Sequence, residues 1–210
     1  EHTYAQRLQY ILQKLKIERE DAAVKDQIAV MAYCDSESEV DRVITQFVAQ
    51  TISNKTLFIL TPVERESSEN IQFFTNSEAL HNALQMATES EFSHFAIFNS
   101  NDYYGPYYLE DLLHSYCYLQ YHNNPVATKA SYYCFNDQEI QAKEGVEYQF
   151  VSEAHTTRSL YPVSIFTTLL KDEPLEDLLA GKTIQQPAFS TDTLSYLENG
   201  AQTDAELHEM

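Results

Sequence analysis

An α/β fold, with a central mostly parallel sheet sandwiched by helices, is what this sequence predicts. Three observations predict it. Short apolar runs of strand length (28–33, 56–60, 71–74, 95–98) alternate with stretches whose apolar residues recur at helical spacing. Such β-α-β alternation needs parallel strands joined by helical crossovers. Polar residues mass directly after an apolar strand in Asn99-Ser100-Asn101-Asp102, where open α/β sheets receive ligands.

The elements follow in order. Residues 3–20 read as an amphipathic helix carrying Tyr4, Leu8, Ile11, Leu12 and Leu15, and 21–26 as a polar break. The run IAVMAY (28–33) is a strand, and Ser36 or Ser38 caps a helix over about 39–50 that lines up Val40, Val43, Ile44, Phe47 and Val48. Ser53-Asn54 turns the chain into the strand TLFIL (56–60), closed by Pro62, and the polar loop 64–70 leads to a strand over 71–74. A helix over 77–88 turns Leu80, Ala83, Leu84 and Ala87 inward. The strand FAIF (95–98) and a helix over 107–122 complete the alternating half.

Beyond Asn124 the pattern changes. Residues 126–135 and 147–151 are β-rich and aromatic, and 162–170 reads as helical. A short acidic helix from Pro174 to Leu179 stops at Gly181. Residues 191–197 read as a last helix, and a solvated tail begins at Asn199. The expected organisation is a lead-in over 1–26, one domain over 27–199 and an acidic tail over 200–210. The first residue is Glu1 rather than Met, so the chain is expected to be a piece of a longer protein with further domains.

Composition narrows the function. The 210 residues suit one domain with a sizeable core. With 32 Asp and Glu against 13 Lys and Arg, the net charge of −19 opposes nucleic-acid binding and docking on anionic lipid. No apolar run of membrane-spanning length and no signal peptide is present. Cys34, Cys117 and Cys134 lack metal-ligand spacing, which fits a reduced, intracellular setting. The four glycines form no phosphate-binding loop, which speaks against a nucleotidyltransferase. Fifteen tyrosines are mostly packing residues, though each offers a flat face and a hydroxyl to a base or sugar.

Four segments in order carry a family resemblance: IAVMAYCDSESEVDRVITQFVAQT, the Asn54 turn with TLFIL, NSEALHNALQMA, and FAIFNSNDYYGPYYLEDL. Together they resemble the family 2 glycosyltransferases, inverting enzymes that build cell-envelope polysaccharides, over most of the chain from about Ile28 to Asn199. The resemblance implies a GT-A-like, nucleotide-diphospho-sugar transferase fold of three layers. It implies a nucleotide-sugar donor, a glycan or polyol acceptor, and work in the cytoplasm at the inner face of the membrane. On the matching positions, Tyr33, Cys34 and Asp35 flank the nucleoside, Thr61 stands at the base-contacting strand end, and His81 stands near the diphosphate. Asn99, Asn101 and Asp102 occupy the family's DxD segment, so Asn101 and Asp102 would hold a divalent Mn²⁺ or Mg²⁺ that neutralises the leaving group.

The sequence departs from the family at charged positions. Asn99 and Asn101 replace carboxylates with amides, Thr61 replaces an Asp, and His81 replaces an Arg. Asp35 or Glu64 could supply missing charge. Asp192 matches the family's general base, and its S-T-D setting equally reads as a helix cap. Asp102 equally reads as a turn cap before Gly105-Pro106. His155 and Arg158 match the acceptor side, where Arg158 would bind a phosphate or carboxylate or serve as an ion-pair partner. Two functions stay open: an inverting transferase, or a GT-A-like module that is inactive and positions a partner or glycan.

Overall fold

A computed structural model describes residues 27–89, 92–119, 125–136 and 138–202. The expected N-terminal helix over 3–20, its polar break and the tail beyond 202 lie outside the described residues; the helix expected over 107–122 ends at Ser115 and passes into a 3-10 turn over Tyr116–Tyr118.

The first half alternates as expected. Strand β1 (Gln27–Tyr33) leads to helix α1 (Glu37–Ala49) and β2 (Lys55–Leu60); β3 (Ile71–Phe74) leads to α2 (Ser77–Thr88) and β4 (Phe92–Asn99). The helix starts are set by local chemistry. Ser36 caps α1 with Glu39 reaching back in a capping box, and Asn76 Oδ1 accepts the Ala79 N–H at 2.7 Å at the start of α2. A two-residue strand β5 (Tyr103–Tyr104) and α3 (Tyr108–Ser115) follow.

The second half is strand-rich: β6 (Val126–Thr128), β7 (Tyr132–Asn136), β8 (Glu139–Lys143), β9 (Gln149–Val151), β10 (Ala154–His155) and β11 (Ser159–Pro162). Helices α4 (Val163–Asp172) and α5 (Leu175–Ala180) come next, and Gly181 ends α5 at φ 90°, the left-handed conformation expected of a glycine stop. Strands β12 (Thr183–Ile184), β13 (Ala188–Ser190) and β14 (Tyr196–Glu198) complete the described chain.

The fold is α/β, a mostly parallel central sheet covered by helices on both faces. The central sheet has the order β3-β2-β1-β4-β11-β6-β13-β9. Strands β1, β2, β3, β4, β6 and β13 point one way, and only β11 and β9 run against them. One face packs on α2, α4 and α5 through Met31, Leu80, Phe95, Phe166 and Leu178. The other packs on α1 and α3 through Val30, Val43, Phe98, Tyr108 and Leu112. Tyr104, Tyr108, Tyr161 and Tyr196 are wholly or almost wholly buried. The abundant tyrosines thus serve the core first, as in the parallel stack of Phe98 on Tyr104 at 4.0 Å. A second sheet, β5-β14-β7-β8, lies beside the main one, and β10 pairs with β12. No described helix is long and apolar enough to cross a membrane.

Two expectations are corrected. Residues 191–197 form no helix: Asp192 precedes a turn at Leu194-Ser195, and β14 pairs with both Tyr103–Tyr104 and Tyr133-Cys134. Cross-strand partners from two distant segments override the helical spacing of Leu194 and Leu197. Residues 199–201 are no solvated tail either. The Asn199 N–H donates to Asp102 at 2.9 Å and the Ala201 N–H to the Asn101 carbonyl at 3.0 Å.

Candidate functional site

Six strands end at one edge of the central sheet, so the residues at and after their ends lie along that edge. Tyr33–Asp35 follow β1, Thr61 follows β2 and Asn99–Asp102 close β4, while Lys129 follows β6 and Asp192 follows β13. Because Tyr33 pairs in register with Asn99, the first two polar groups are adjacent. Tyr33, Asp35, Glu39, Asn99 and Asn101 line a cleft of ≈ 170 Å³, closed on one side by Leu179 and Ala180. Tyr33 also lines a neighbouring cleft of ≈ 230 Å³ with Thr61, Pro62, Asn76 and Glu176.

The Asn99–Asp102 turn is held from beneath. Arg42 Nη1 donates to the Ser100 carbonyl at 2.9 Å, and Gln46 Nε2 to the Asp102 carbonyl at 3.1 Å. Gln50 donates to the Gly105 carbonyl at 2.8 Å and accepts the Leu109 N–H at 3.1 Å. Helix α1 and its C-cap residue Gln50 therefore hold the 100–109 segment through the Arg42 guanidinium and the buried Gln46 and Gln50 amides.

Not every expected residue reaches the crevice. Cys34 is fully buried in the core, and burial pushes its thiol up to about 12. Its side chain offers a ligand nothing. Thr61 borders the second cleft but is almost wholly buried, and its hydroxyl accepts the Val63 N–H at 3.1 Å, closing the turn. His81 lies on α2, its ring paired with Gln85 at 3.0 Å, and lines neither cleft beside Tyr33. Glu64 is exposed and lines neither cleft, whereas Asp35 stands beside the two amides.

Asp102 points inward. Its side chain is 4 % exposed, one oxygen accepting the Tyr196 hydroxyl at 2.7 Å and the other the Asn199 N–H. Burial is the main reason its carboxyl is pushed up to about 6, against the lowering effect of those two bonds. Among the described residues no group of three His, Cys, Asp or Glu is placed to hold a metal ion. With both Asp102 oxygens engaged and Asn101 bringing no charge, this pair does not fit a hard divalent cation.

Asp192 has a different setting. Its Oδ1 lies 2.6 Å from Lys129 Nζ and accepts the Leu194 N–H at 3.1 Å. Its Oδ2 is approached by the Tyr148 hydroxyl at 3.5 Å. The Lys129 side chain is 0 % exposed and that of Asp192 28 %, so a buried cation anchors a half-open carboxylate. Asp111 stands nearby, accepting the Ser195 hydroxyl at 2.9 Å; burial raises its carboxyl, and Lys129 opposes the rise. Sequence reasoning missed Lys129 and Asp111. The available signal was a lone cation inside the apolar run VATKASYYCF.

His155 and Arg158 share a third cleft, of ≈ 460 Å³, with Thr128, Lys129 and Phe150. Burial, then Arg158, holds the His155 imidazole down to about 4, so it is neutral near pH 7. The Arg158 guanidinium lies 3.8 Å over the Tyr132 ring and 3.9 Å from Glu198. Its Nε and Nη1 are buried and make no hydrogen bond.

No protein-family model and no curated protein matches the chain. Among solved structures it is similar to the crystal structure of TarS from S. aureus, at 11 % identity and a TM-score of 0.49. The similarity covers 82 % of this chain and 36 % of that one.

Proposed function

We propose that this chain is a glycosyltransferase domain that moves a sugar from a nucleotide-diphosphate donor to an acceptor hydroxyl with inversion, in the synthesis of cell-envelope polysaccharide. One observation carries the reading: residues from the separate segments that resemble family 2 converge on one sheet edge, with Tyr33, Asp35, Asn99 and Asn101 sharing a cleft and Asp192 further along. From β4 to β13 is three strand spacings, about 14 Å. The nucleoside would lie against Tyr33 near Thr61, with the diphosphate running past Asn99 and Asn101 toward the β13 end.

In this proposal an acceptor hydroxyl oxygen attacks the donor's anomeric carbon. The carbon–phosphate oxygen bond breaks, its electron pair leaving on the nucleoside diphosphate. The hydroxyl proton passes to Asp192 Oδ2, the oxygen that Lys129 does not hold. Lys129 fixes the orientation of the carboxylate. No step runs through a metal, since Asn101 and Asp102 do not fit one.

A second reading is an inactive module that binds or positions a glycan or partner. It is favoured by the occupied Asp102 oxygens and by a cleft whose charged residues, Asp35 and Glu39, are both acidic. Calorimetry and turnover with UDP-, dTDP- and GDP-sugars separate the two. Binding of one donor, with slow release of its diphosphate that Asp192→Asn abolishes while binding persists, is the result expected of a transferase. Silence across the panel, with and without Mn²⁺, contradicts it and leaves the module.

A further inference from the structure

The edge strands of folded sheets are guarded against other chains by like charges, by proline or by a covering segment. Strand β3, at one end of the central sheet, is covered. Its Phe73 N–H donates to Ser67 Oγ at 3.0 Å, and its Ile71 carbonyl accepts the Ser68 N–H at 2.8 Å. Strand β8 is treated differently. It ends the second sheet, β5-β14-β7-β8, and no described strand pairs with its far side. Glu139, Ile140, Gln141 and Ala142 are all exposed, Ile140 at 41 %. The strand reads E-I-Q-A-K, without proline and with charges of opposite sign at its two ends. Among the described residues neither Glu139 nor Lys143 has an ion-pair partner.

The hairpin sets the phase of the free backbone groups. Asn136 pairs with Glu139 across a two-residue turn, whose second residue, Gln138, has φ 68°. In a hairpin of that length the closing pair is hydrogen-bonded, and bonded and unbonded pairs alternate beyond it. Glu139, Gln141 and Lys143 therefore bond inward to Asn136, Cys134 and Tyr132. Ile140 and Ala142 are left with N–H and C=O groups aimed away from β7.

A second β8, laid antiparallel about a two-fold axis at Gln141, matches those groups. Ile140 of each copy meets Ala142 of the other as a bonded pair. Glu139 of each copy stands directly opposite Lys143 of the other, where opposite charges attract across strands. Neighbouring registers lose the match. Centring on Ile140 sets Glu139 against Gln141, and centring on Ala142 sets Ile140 against Glu144. On the opposite face, Phe135 already flanks Ile140 and Tyr133 flanks Ala142 within each hairpin. Pairing joins them into two apolar rows, each running Phe135, Ile140, then Ala142 and Tyr133 of the other copy.

We infer that β8 is a self-pairing edge: two copies of this chain join antiparallel through it, their four-stranded sheets merging into one of eight. The inference stands apart from the transferase reading. The net charge of −19 repels a second copy at long range. At about 0.15 M salt the screening length is about 8 Å, so the complementary groups in contact decide the outcome. Five residues a side make a small interface. The association is therefore weak, with a Kd on the order of 100 µM.

The test is sedimentation equilibrium of the whole chain from about 10 µM to about 1 mM, a range that spans that constant. The mass is expected to climb from 24.2 kDa toward twice that value. Glu139→Lys sets lysine against lysine and Lys143→Glu sets glutamate against glutamate, so each alone should weaken association by about tenfold or more. Mixed in equal amounts, the two variants restore both attractive pairs, and the mixture should dimerise within about twofold of the wild type. Ala142→Pro removes an outward N–H and leaves the β7 ladder intact. It should abolish association with the melting temperature unchanged. The inference is overturned if the chain stays monomeric at the highest concentration, or if Glu139→Lys associates as well as the wild type. It is equally overturned if the mixed variants stay monomeric, because the register would then be wrong. The mixing arm decides the matter even where Ala142→Pro fails to fold.

Discussion

Lys129 and Asp192 lie 63 residues apart in sequence and 2.6 Å apart in space, the lysine wholly buried and the aspartate half open. The pair ties the ends of β6 and β13 together at the edge where the chemistry is placed. The asymmetry of burial decides what each removal does.

Asp192→Asn leaves a buried ammonium with Asp111 as the remaining carboxylate near it among the described residues, and costs about 3 kcal/mol. Lys129→Met replaces the cation with an apolar side chain of similar length and lets the half-open Asp192 turn to water. Its cost is below about 2 kcal/mol. Urea denaturation of the two variants checks the order. A Lys129→Met chain less stable than Asp192→Asn contradicts this description of the pair.

Asp102 predicts an inverted pH response. Its carboxyl is raised from 3.8 to about 6 by burial, so the folded chain holds the proton more tightly than the unfolded one. The associated stability is complete below about pH 4 and lost as pH rises through 6, a change of about 3 kcal/mol at most. His155 is shifted the other way, from 6.5 to about 4, so its contribution is complete above pH 6.5 and lost as pH falls through 4. The two slopes oppose each other and make the wild-type profile shallow. Unfolding midpoints between pH 4 and 7 should fall with rising pH in His155→Asn and rise with it in Asp102→Asn.

Some of this was legible in sequence and some was not. The strands at 28–33, 56–60 and 71–74, the helix over 77–88 and the Gly181 stop rest on local periodicity and caps, and the structure has them within a residue or so. The 191–197 helix failed because Leu194 and Leu197 have helical spacing while the deciding partners, Tyr103 and Tyr133, are far away in the chain. Asp102 was placed in the crevice because its strand ends there. Its side chain turns inward to Tyr196 and Asn199, 94 and 97 residues on, and nothing local announces that. The Lys129–Asp192 pair was invisible for the same reason.

The buried amide of Gln50, the C-cap of α1, gives a further test. Gln50 bonds Gly105 and Leu109 at once; the Gly105 carbonyl also accepts the Tyr108 N–H at 3.0 Å, so Gln50→Ala leaves chiefly the Leu109 N–H unsatisfied in the interior, at about 1–3 kcal/mol. Hydrogen exchange at Leu109 should accelerate selectively. Unchanged exchange there would mean that α1 does not clamp this segment.

Thiol labelling should divide the cysteines. Cys117 is exposed, whereas Cys34 and Cys134 are buried with raised thiol pKa values. Under native conditions one thiol should react quickly and the other two only on unfolding. Fast reaction at Cys34 would place its side chain in the crevice rather than the core.

The most direct measurement is diffraction from crystals soaked with whichever nucleotide-sugar binds in solution. The account expects the nucleoside against Tyr33 and Thr61, the diphosphate beside Asn99 and Asn101, and the sugar directed toward Asp192 Oδ2. A donor bound away from the carboxyl edge of the sheet, or an empty edge at saturating ligand, would contradict it.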